Sequence, residues 1–229
     1  MKKLLALIIM LSTSSLMFAQ MKFGVGIHGC IDVPTGTPLT NDIFDSNHYD
    51  VALLEGVGFD FSIAAMLIQA DLKGFGVELE LGYAHNEIGW EYSKKDLEMK
   101  GKMTYSSFDI PLLLGYTFAK GNFRVTPQIG PYISLPIGSL DLDVERIVNE
   151  DELVTNSSIA YDWDITSRAL FGCLGGVNIG YKVGRGLINF DARFMSDFSH
   201  LKVNHHDKNG VSVLTRRKTT FGISYLFFF

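Results

Sequence analysis

The sequence has few of the features that mark the commoner classes of protein. It contains only 2 cysteines in 229 residues, so no disulfide framework holds the fold. Its 20 basic residues are fewer than its 25 acidic ones, which argues against nucleic acid as a partner, because nucleic acid binds a basic surface. After the N-terminal region there is no apolar run of about 18 residues, so any membrane crossing must use strands.

The first 19 residues have the order of a secretory signal peptide. Two lysines give a positive start, the apolar run Leu4–Leu11 is too short for a spanning helix, and the small residue Ala19 ends the segment. We predict cleavage between Ala19 and Gln20, which leaves residues 20–229 as one domain. Without the two lysines, 18 basic residues face 25 acidic ones, and the net charge becomes −7.

Apolar and polar residues alternate with a period of two in eight segments, as they do in β-strands. The apolar faces carry Phe, Tyr, Leu and Ile, whereas the opposite faces carry Gly, Ser and isolated charges. Glycine suits the crowded interior of a narrow barrel, and an outward apolar face around a polar interior is typical of a membrane barrel. The predicted strands are Lys22–Ile31, Gly58–Ile68, Phe75–Tyr92, Lys102–Phe118, Asn122–Pro136, Asp162–Val183, Leu187–Phe198 and Arg217–Phe229.

The connections between these strands alternate between long and short. They are Asp32–Gly56, Gln69–Gly74, Ser93–Gly101, Ala119–Gly121, Ser139–Tyr161, Gly184–Gly186 and Ser199–Ser212. Membrane barrels place short turns on the periplasmic side and long loops outside. An open strand edge is costly in hydrocarbon, so the first and last strands should pair. The sequence thus predicts an all-β fold, an eight-stranded antiparallel transmembrane up-and-down β-barrel in the bacterial outer membrane, with both termini periplasmic.

Three strand motifs occur in an order that matches a known family. The segment Phe108–Phe118 reads FDIPLLLGYTF, Val125–Leu135 reads VTPQIGPYISL, and Phe75–Tyr83 reads FGVELELGY. They resemble successive strands of the PorT-like outer-membrane β-barrel family of Bacteroidetes, and the end of the chain, Tyr225–Phe229, resembles an aromatic C-terminal assembly signal. The segment Ser93–Gly101 departs from the family, because a longer loop is expected there. The resemblance implies an integral outer-membrane protein without catalysis; some members act in assembly or secretion of other proteins.

Charged residues on the polar faces predict an ionic network inside the barrel. An eight-stranded barrel is just wide enough for side chains to fill, so these charges should pair with one another. We expect Asp109 or Glu80 to contact Arg124 or Arg168. An ion-pair plug that fixes the shape of the barrel and a narrow gated ion path both remain open. The predicted network comprises Asp60, Glu78, Glu80, Asp109, Arg124, Arg168, Asp191 and Arg193, with Lys182 on the same inward set.

Other chemistry receives little support from the sequence. Four histidines and several serines occur without a spacing that ties them into a triad, so we predict no enzyme and no cofactor. The last long loop contains several potential metal ligands. Such a loop is usually only solvated, so we predict no metal site. Cys30 and Cys173 fall on strands one and six with opposite pleats, so we predict two free thiols. The candidate residues for catalysis are His85, His200, His205, His206, Ser93, Ser106 and Ser107, and those for metal are His200, His205, His206 and Asp207.

The long loops are the predicted places of outside contact. Asp32–Gly56 and Ser139–Tyr161 are rich in acidic residues, which could bind cations or a basic partner, or could be only a solvated surface. We expect a monomer surrounded by outer-membrane lipid, with other envelope proteins as candidate partners. Two functions lead at this point: a stand-alone barrel with a structural or surface-binding role, and an accessory of a larger secretion or assembly machine. A narrow channel or a lipid-modifying barrel enzyme is the further alternative. A passive porin is disfavoured because eight strands leave little lumen.

Overall fold

The computed structural model describes residues 21–34, 51–54, 58–69, 73–94, 97–150, 153–205 and 208–229. Within these ranges no helix is long and apolar enough to cross a membrane. The predicted signal peptide lies outside the described residues and stays a prediction. The strands of the described part are β1 (Met21–Pro34), β2 (Val51–Leu54), β3 (Gly58–Gln69), β4 (Gly74–Lys94), β5 (Leu97–Lys120), β6 (Phe123–Glu150), β7 (Leu153–Asp164), β8 (Leu170–Val183), β9 (Gly186–Asp197), β10 (Leu201–His205), β11 (Lys208–Leu214) and β12 (Arg217–Phe228).

Eight of these strands close into an antiparallel barrel. The order around the ring is β1, β12, β9, β8, β6, β5, β4 and β3, and β3 pairs with β1 again. The predicted pairing of the first and last strands is confirmed, with Gly24 opposite Phe228 and Pro34 opposite Lys218. The predicted eight-stranded barrel is therefore the observed fold.

The barrel has an apolar outer band and a mixed interior. In the part of β5 from Phe108 to Phe118, Leu112 and Leu114 point outward and are exposed, whereas Asp109 and Leu113 point inward and are buried. This alternation follows from the pleat, which points successive side chains to opposite faces. The outward stretch has the length, roughly 9–11 residues, that a tilted strand needs to cross a bilayer.

The two ends of the barrel differ in their connections. One end, the short-turn end, holds Met21, the C-terminus, and the tight turns between β5 and β6 and between β8 and β9. Gly121 and Gly184 in these turns have φ of 61° and 60°, values that glycine adopts without a Cβ clash. The opposite end, called the hairpin end, contains the continuations of the longest strands.

At the hairpin end β4, β5 and β6 continue past the apolar band and join two further strands. They form an outer sheet in the order β2, β4, β5, β6, β7. The segments Ser93–Gly101 and Ser139–Tyr161, predicted as loops, are mostly paired strand, and Ser199–Ser212 contains the β10–β11 hairpin. Those three predictions are wrong because charged residues break the apolar alternation there, while backbone pairing outside a bilayer needs no apolar outer face.

The predicted strand Asp162–Val183 is divided in the structure. Its first residues end β7, which pairs with the extension of β6, and the barrel strand β8 begins only at Leu170. Arg168 lies in the bend between them and is exposed. The prediction that Arg168 points into the barrel is wrong, because the interruption removes it from the pleat of the strand.

Candidate functional site

Side chains from opposite walls meet in the middle of the lumen. Arg193 on β9 contacts Glu80 on β4, the strand directly across the ring, with 2.8 Å between Nη1 and Oε1. Its Nε lies 3.2 Å from Oδ1 of Asp191, whose Oδ2 is 3.0 Å from Nε2 of His28. Ser62 donates from Oγ to Oε2 of Glu80 over 3.2 Å. These five buried residues form the central network.

A second set of buried charges, the upper network, lies nearer the hairpin end. Arg216, which directly precedes β12, reaches Asp109 on the opposite strand β5, with 3.1 Å between Nη1 and Oδ2. Its Nε is 3.4 Å from Oδ2 of Asp197. Lys218 Nζ donates to Oδ2 of Asp32 over 2.6 Å. Each cation of this network therefore has carboxylate partners on a different strand.

Hydroxyl groups satisfy the carboxylates of the upper network. Ser107 donates to Oδ1 of Asp109 over 2.9 Å, and Ser134 donates to the same oxygen. The Tyr132 hydroxyl donates to Asp197. The guanidinium carbon of Arg216 lies 5.5 Å from the centroid of the Tyr132 ring, which is a cation–π contact. A buried charge is tolerated when it is paired and hydrogen-bonded in this way.

Apolar clusters fill the remaining lumen. One cluster, beside the two networks, consists of Leu113, Tyr132, Leu174 and Met195. Another, near the short-turn end, consists of Ala64, Met66, Leu187, Leu226 and Phe228. Two cavities inside the described part border the networks, and each has room for about one water molecule. The described side chains of these clusters and of the two networks thus occupy much of the lumen.

The structure places most of the predicted network residues inside the barrel. Glu78, Glu80, Asp109, Arg124, Asp191 and Arg193 are buried, and Asp60 is half-buried. The expected contacts of Asp109 or Glu80 with Arg124 or Arg168 are wrong.

Arg124 lies too far along the barrel axis to meet the predicted carboxylates. It lies at the short-turn end, where Nη1 donates to the carbonyls of Gly121 and Phe123. Asp109 pairs with Ser134, ten residues further along β6, which corresponds to about 33 Å of strand. Arg124 and Asp109 thus both point into the lumen, but the strand register places them at different heights in the barrel.

Five titratable members of the two networks were absent from the predicted set. His28, Asp197 and Lys218 lie on the faces that the alternation had already assigned to the interior. Asp32 and Arg216 lie one residue beyond the predicted strands Lys22–Ile31 and Arg217–Phe229. Extending the inward pattern by one residue at the strand ends would have found both of them.

The outer sheet has one buried and one exposed face near the barrel rim. Its buried side chains include Ile88 on β4, Met103 on β5 and Leu140 on β6, and Leu201 and Val203 of β10 are buried at the same end. This packing, with the continuous pairing of β4, β5 and β6, makes the base of the outer sheet an extension of the barrel.

The exposed face of that base is acidic. Asp141 and Asp143 on β6 and Asp162 and Asp164 on β7 are exposed, and Asp141 pairs directly with Asp162. Like charges at directly opposite positions of an antiparallel pair repel each other and lower stability. This face, defined by the four aspartates, is called the acidic face.

The candidate catalytic and metal residues do not assemble into a site in the described part. His85 Nδ1 lies 3.4 Å from Ser106 Oγ on the outside of the barrel, and no carboxylate among the described residues contacts this histidine. The described residues contain no group of three potential metal ligands, and His206 and Asp207 lie outside them. Cys30 and Cys173 are both free, as predicted.

A closed barrel with an apolar outer band and an ion-paired interior defines the class of outer-membrane β-barrel proteins, here of the small eight-stranded type. The sequence matches the family described as "Outer membrane protein beta-barrel domain" over residues 18–202. The chain belongs to this family, and its location is the bacterial outer membrane. No curated protein sequence matches the chain.

Several solved structures of outer-membrane proteins resemble the chain at low identity. OprG from Pseudomonas aeruginosa is 14% identical, with a TM-score of 0.48 and coverage of 91% of this chain and 96% of that one. Neisserial surface protein A (NspA) is 13% identical, with a TM-score of 0.36 and coverage of 90% and 97%. A major outer membrane protein from Thermus thermophilus is 14% identical, with a TM-score of 0.41 and coverage of 91% and 99%.

Proposed function

We propose that the protein is a sealed membrane anchor that holds the outer sheet as a binding surface outside the cell, without catalysis. The observation that carries this proposal is the continuation of β4, β5 and β6 beyond the apolar band. A strand needs only roughly 9–11 residues to cross the bilayer, so the additional residue pairs of β4, β5 and β6 have a role outside the membrane. The short-turn end, with both termini, then faces the periplasm, where membrane barrels place their short turns.

The acidic face supports a partner with a basic surface. Facing aspartates at Asp141 and Asp162 weaken the sheet in isolation, and a positively charged partner would relieve their repulsion. Binding residues commonly lie on loops and extensions that a rigid scaffold holds in place. The partner that fits this chemistry is a basic segment of another envelope or extracellular protein.

Electrical recording tests whether the barrel is sealed. We expect the purified protein, reconstituted in planar bilayers, to show no steady ion conductance, because two arginines span the lumen to opposite walls. An unrelated porin reconstituted in parallel provides the positive control. Reproducible unitary openings would contradict the sealed anchor and favour the narrow ion path.

Site-specific cross-linking in intact cells tests the binding surface. A photoreactive residue at position 141 is expected to capture one basic protein, whereas the same residue at lipid-facing Phe190 is not. We expect Asp143→Asn with Asp162→Asn to reduce the adduct severalfold, because the partner loses its charge complement. Glu87→Gln, which removes an acid already paired with Lys102, is the control.

The identity of the adduct separates the two roles that the sequence left open. A soluble or surface-attached basic protein supports the binding role. A second integral outer-membrane protein at fixed stoichiometry supports an accessory role in assembly or secretion. An adduct that is unchanged when the aspartates are neutralised contradicts the acidic face as the binding surface.

The PorT-like subgroup is also a proposal. It is supported by the motifs in Phe75–Tyr83, Phe108–Phe118 and Val125–Leu135, which lie on the successive barrel strands β4, β5 and β6. These motifs do not support a role in secretion for this chain, because each of them forms part of a membrane-spanning strand.

A further inference from the structure

Cationic residues surround the short-turn end of the barrel. Lys22 lies at the start of β1, Lys120 at the end of β5, Lys182 near the end of β8, and Arg185 in the turn to β9. Lys120 and Arg185 are exposed, whereas Lys22 and Lys182 are half-buried, because they occupy lumen-facing positions next to the exposed Phe23 and Tyr181. These four residues, the basic ring, are spread around the circumference instead of lying on one side.

The charge of this end is opposite to that of the whole chain. The full sequence has a net charge of −5, and the carboxylates of the two networks lie further along the lumen. The four cations of the basic ring therefore give the described part of this end a positive surface.

Aromatic side chains place the basic ring at a defined depth. Lys22 adjoins Phe23, Lys182 adjoins Tyr181, and both aromatic side chains are exposed. The Phe23 ring lies 6.5 Å from that of Phe229, and the Tyr181 ring lies 5.3 Å from that of Phe123, so they belong to an aromatic belt. Such belts lie at the level of the lipid headgroups.

We infer that the basic ring binds the phosphate groups of anionic phospholipids in the leaflet that contacts the short-turn end. The exposed side chains of Lys120 and Arg185 lay their stems along apolar surface and extend their charged heads to the interface, and Lys22 and Lys182 add positive charge at the mouth of the lumen. Each of these groups near an anionic surface favours binding about fivefold. The lipid shell at this end of the barrel is therefore selected by charge, and the contacts fix the height of the barrel in the bilayer.

This inference is independent of the acidic face and of the direction in which the barrel is inserted. In a reconstituted phospholipid bilayer the basic ring meets phospholipid headgroups in either orientation. The binding proposal for the outer sheet can fail in cells while lipid selection in reconstituted discs still succeeds.

Lipid retention measures the selection directly. The protein is reconstituted in discs that contain equal amounts of phosphatidylcholine and phosphatidylglycerol, and the lipid that remains bound after mild extraction is quantified by mass spectrometry. We expect phosphatidylglycerol to be enriched at least about fivefold for the natural sequence, the ratio that one basic group supplies. We expect Lys120→Gln with Arg185→Gln to lower the enrichment at least severalfold.

Two further variants make the result decisive. Neutralising all four residues of the basic ring should abolish the enrichment, and heat-dependent gel mobility reports whether that variant still folds. Lys102→Gln with Lys202→Gln removes two exposed cations at the hairpin end and should leave the enrichment unchanged. Equal retention of the two lipids by the natural protein, or undiminished enrichment in the folded double variant of the ring, overturns the inference.

Discussion

Arg193→Met is expected to destabilise the folded barrel by about 3–5 kcal/mol. The guanidinium lies between Glu80 on the opposite wall and Asp191 on its own strand, and both carboxylates are buried. Methionine fills a similar volume but leaves these two carboxylates without their cation. The loss is large because a buried charge without a partner carries the full cost of its desolvation. Urea titration of the protein in lipid vesicles, followed by tryptophan fluorescence, measures the change.

Two companion variants separate charge pairing from general damage. Glu80→Met combined with Arg193→Met should recover about 1–3 kcal/mol relative to the sum of the single variants, since residues in one network couple by this amount. Lys102→Met breaks an ion pair with Glu87 that is largely exposed, so it should cost less than about 1 kcal/mol. An Arg193→Met variant as stable as the natural protein would contradict the bracing role of the central network.

Gly26→Val is expected to prevent closure of the barrel. A Cβ atom at Gly26 would lie 2.9 Å from the Cα of Leu226, which faces it across the seam between β1 and β12. The backbones of the first and last strands must therefore separate, and unpaired backbone groups in hydrocarbon cost several kcal/mol each. The expected result is loss of the heat-modifiable, protease-resistant form after refolding into vesicles.

Gly29→Val on the same strand is the matched control. The nearest atom to a Cβ at Gly29 is the carbonyl oxygen of Asp60, at 4.0 Å, so a side chain there has space. Gly29 lies between the outward residues Ile27 and Ile31, and valine would add apolar surface to the lipid-facing side. We expect normal folding of this control. Folding of Gly26→Val with unchanged protease resistance would show that the seam is looser than the structure indicates.

Strand identity and barrel closure could be predicted because they depend on local pattern. In Phe108–Phe118 every second residue is apolar, and the pleat alone turns that alternation into one lipid-facing and one lumen-facing side. The polar lumen side identified Glu80, Asp109, Asp191 and Arg193 before any contact was known. The same pattern failed at Arg168, because the chain leaves the pleat between β7 and β8, and nothing local marks that break.

Pairing inside the lumen could not be predicted, because it depends on register and on position around the ring. Arg193 meets Glu80, and Arg216 meets Asp109, because each cation lies directly opposite its carboxylate in a ring of eight strands. Arg124 has the right charge and the right face, but it lies about 33 Å along the strand from the position level with Asp109.

The amino-acid sequence by itself determined that this chain is a membrane barrel, which face of each strand meets lipid, and most of the residues that enter the lumen. These properties follow from the two-residue period of the strand and from the need to pair every backbone group in hydrocarbon. Only the tertiary structure decided which lumen charges contact one another, that the predicted loops continue as an outer sheet, and that cations encircle the short-turn end. Those features depend on distances between residues far apart in the chain, which closure of the ring sets.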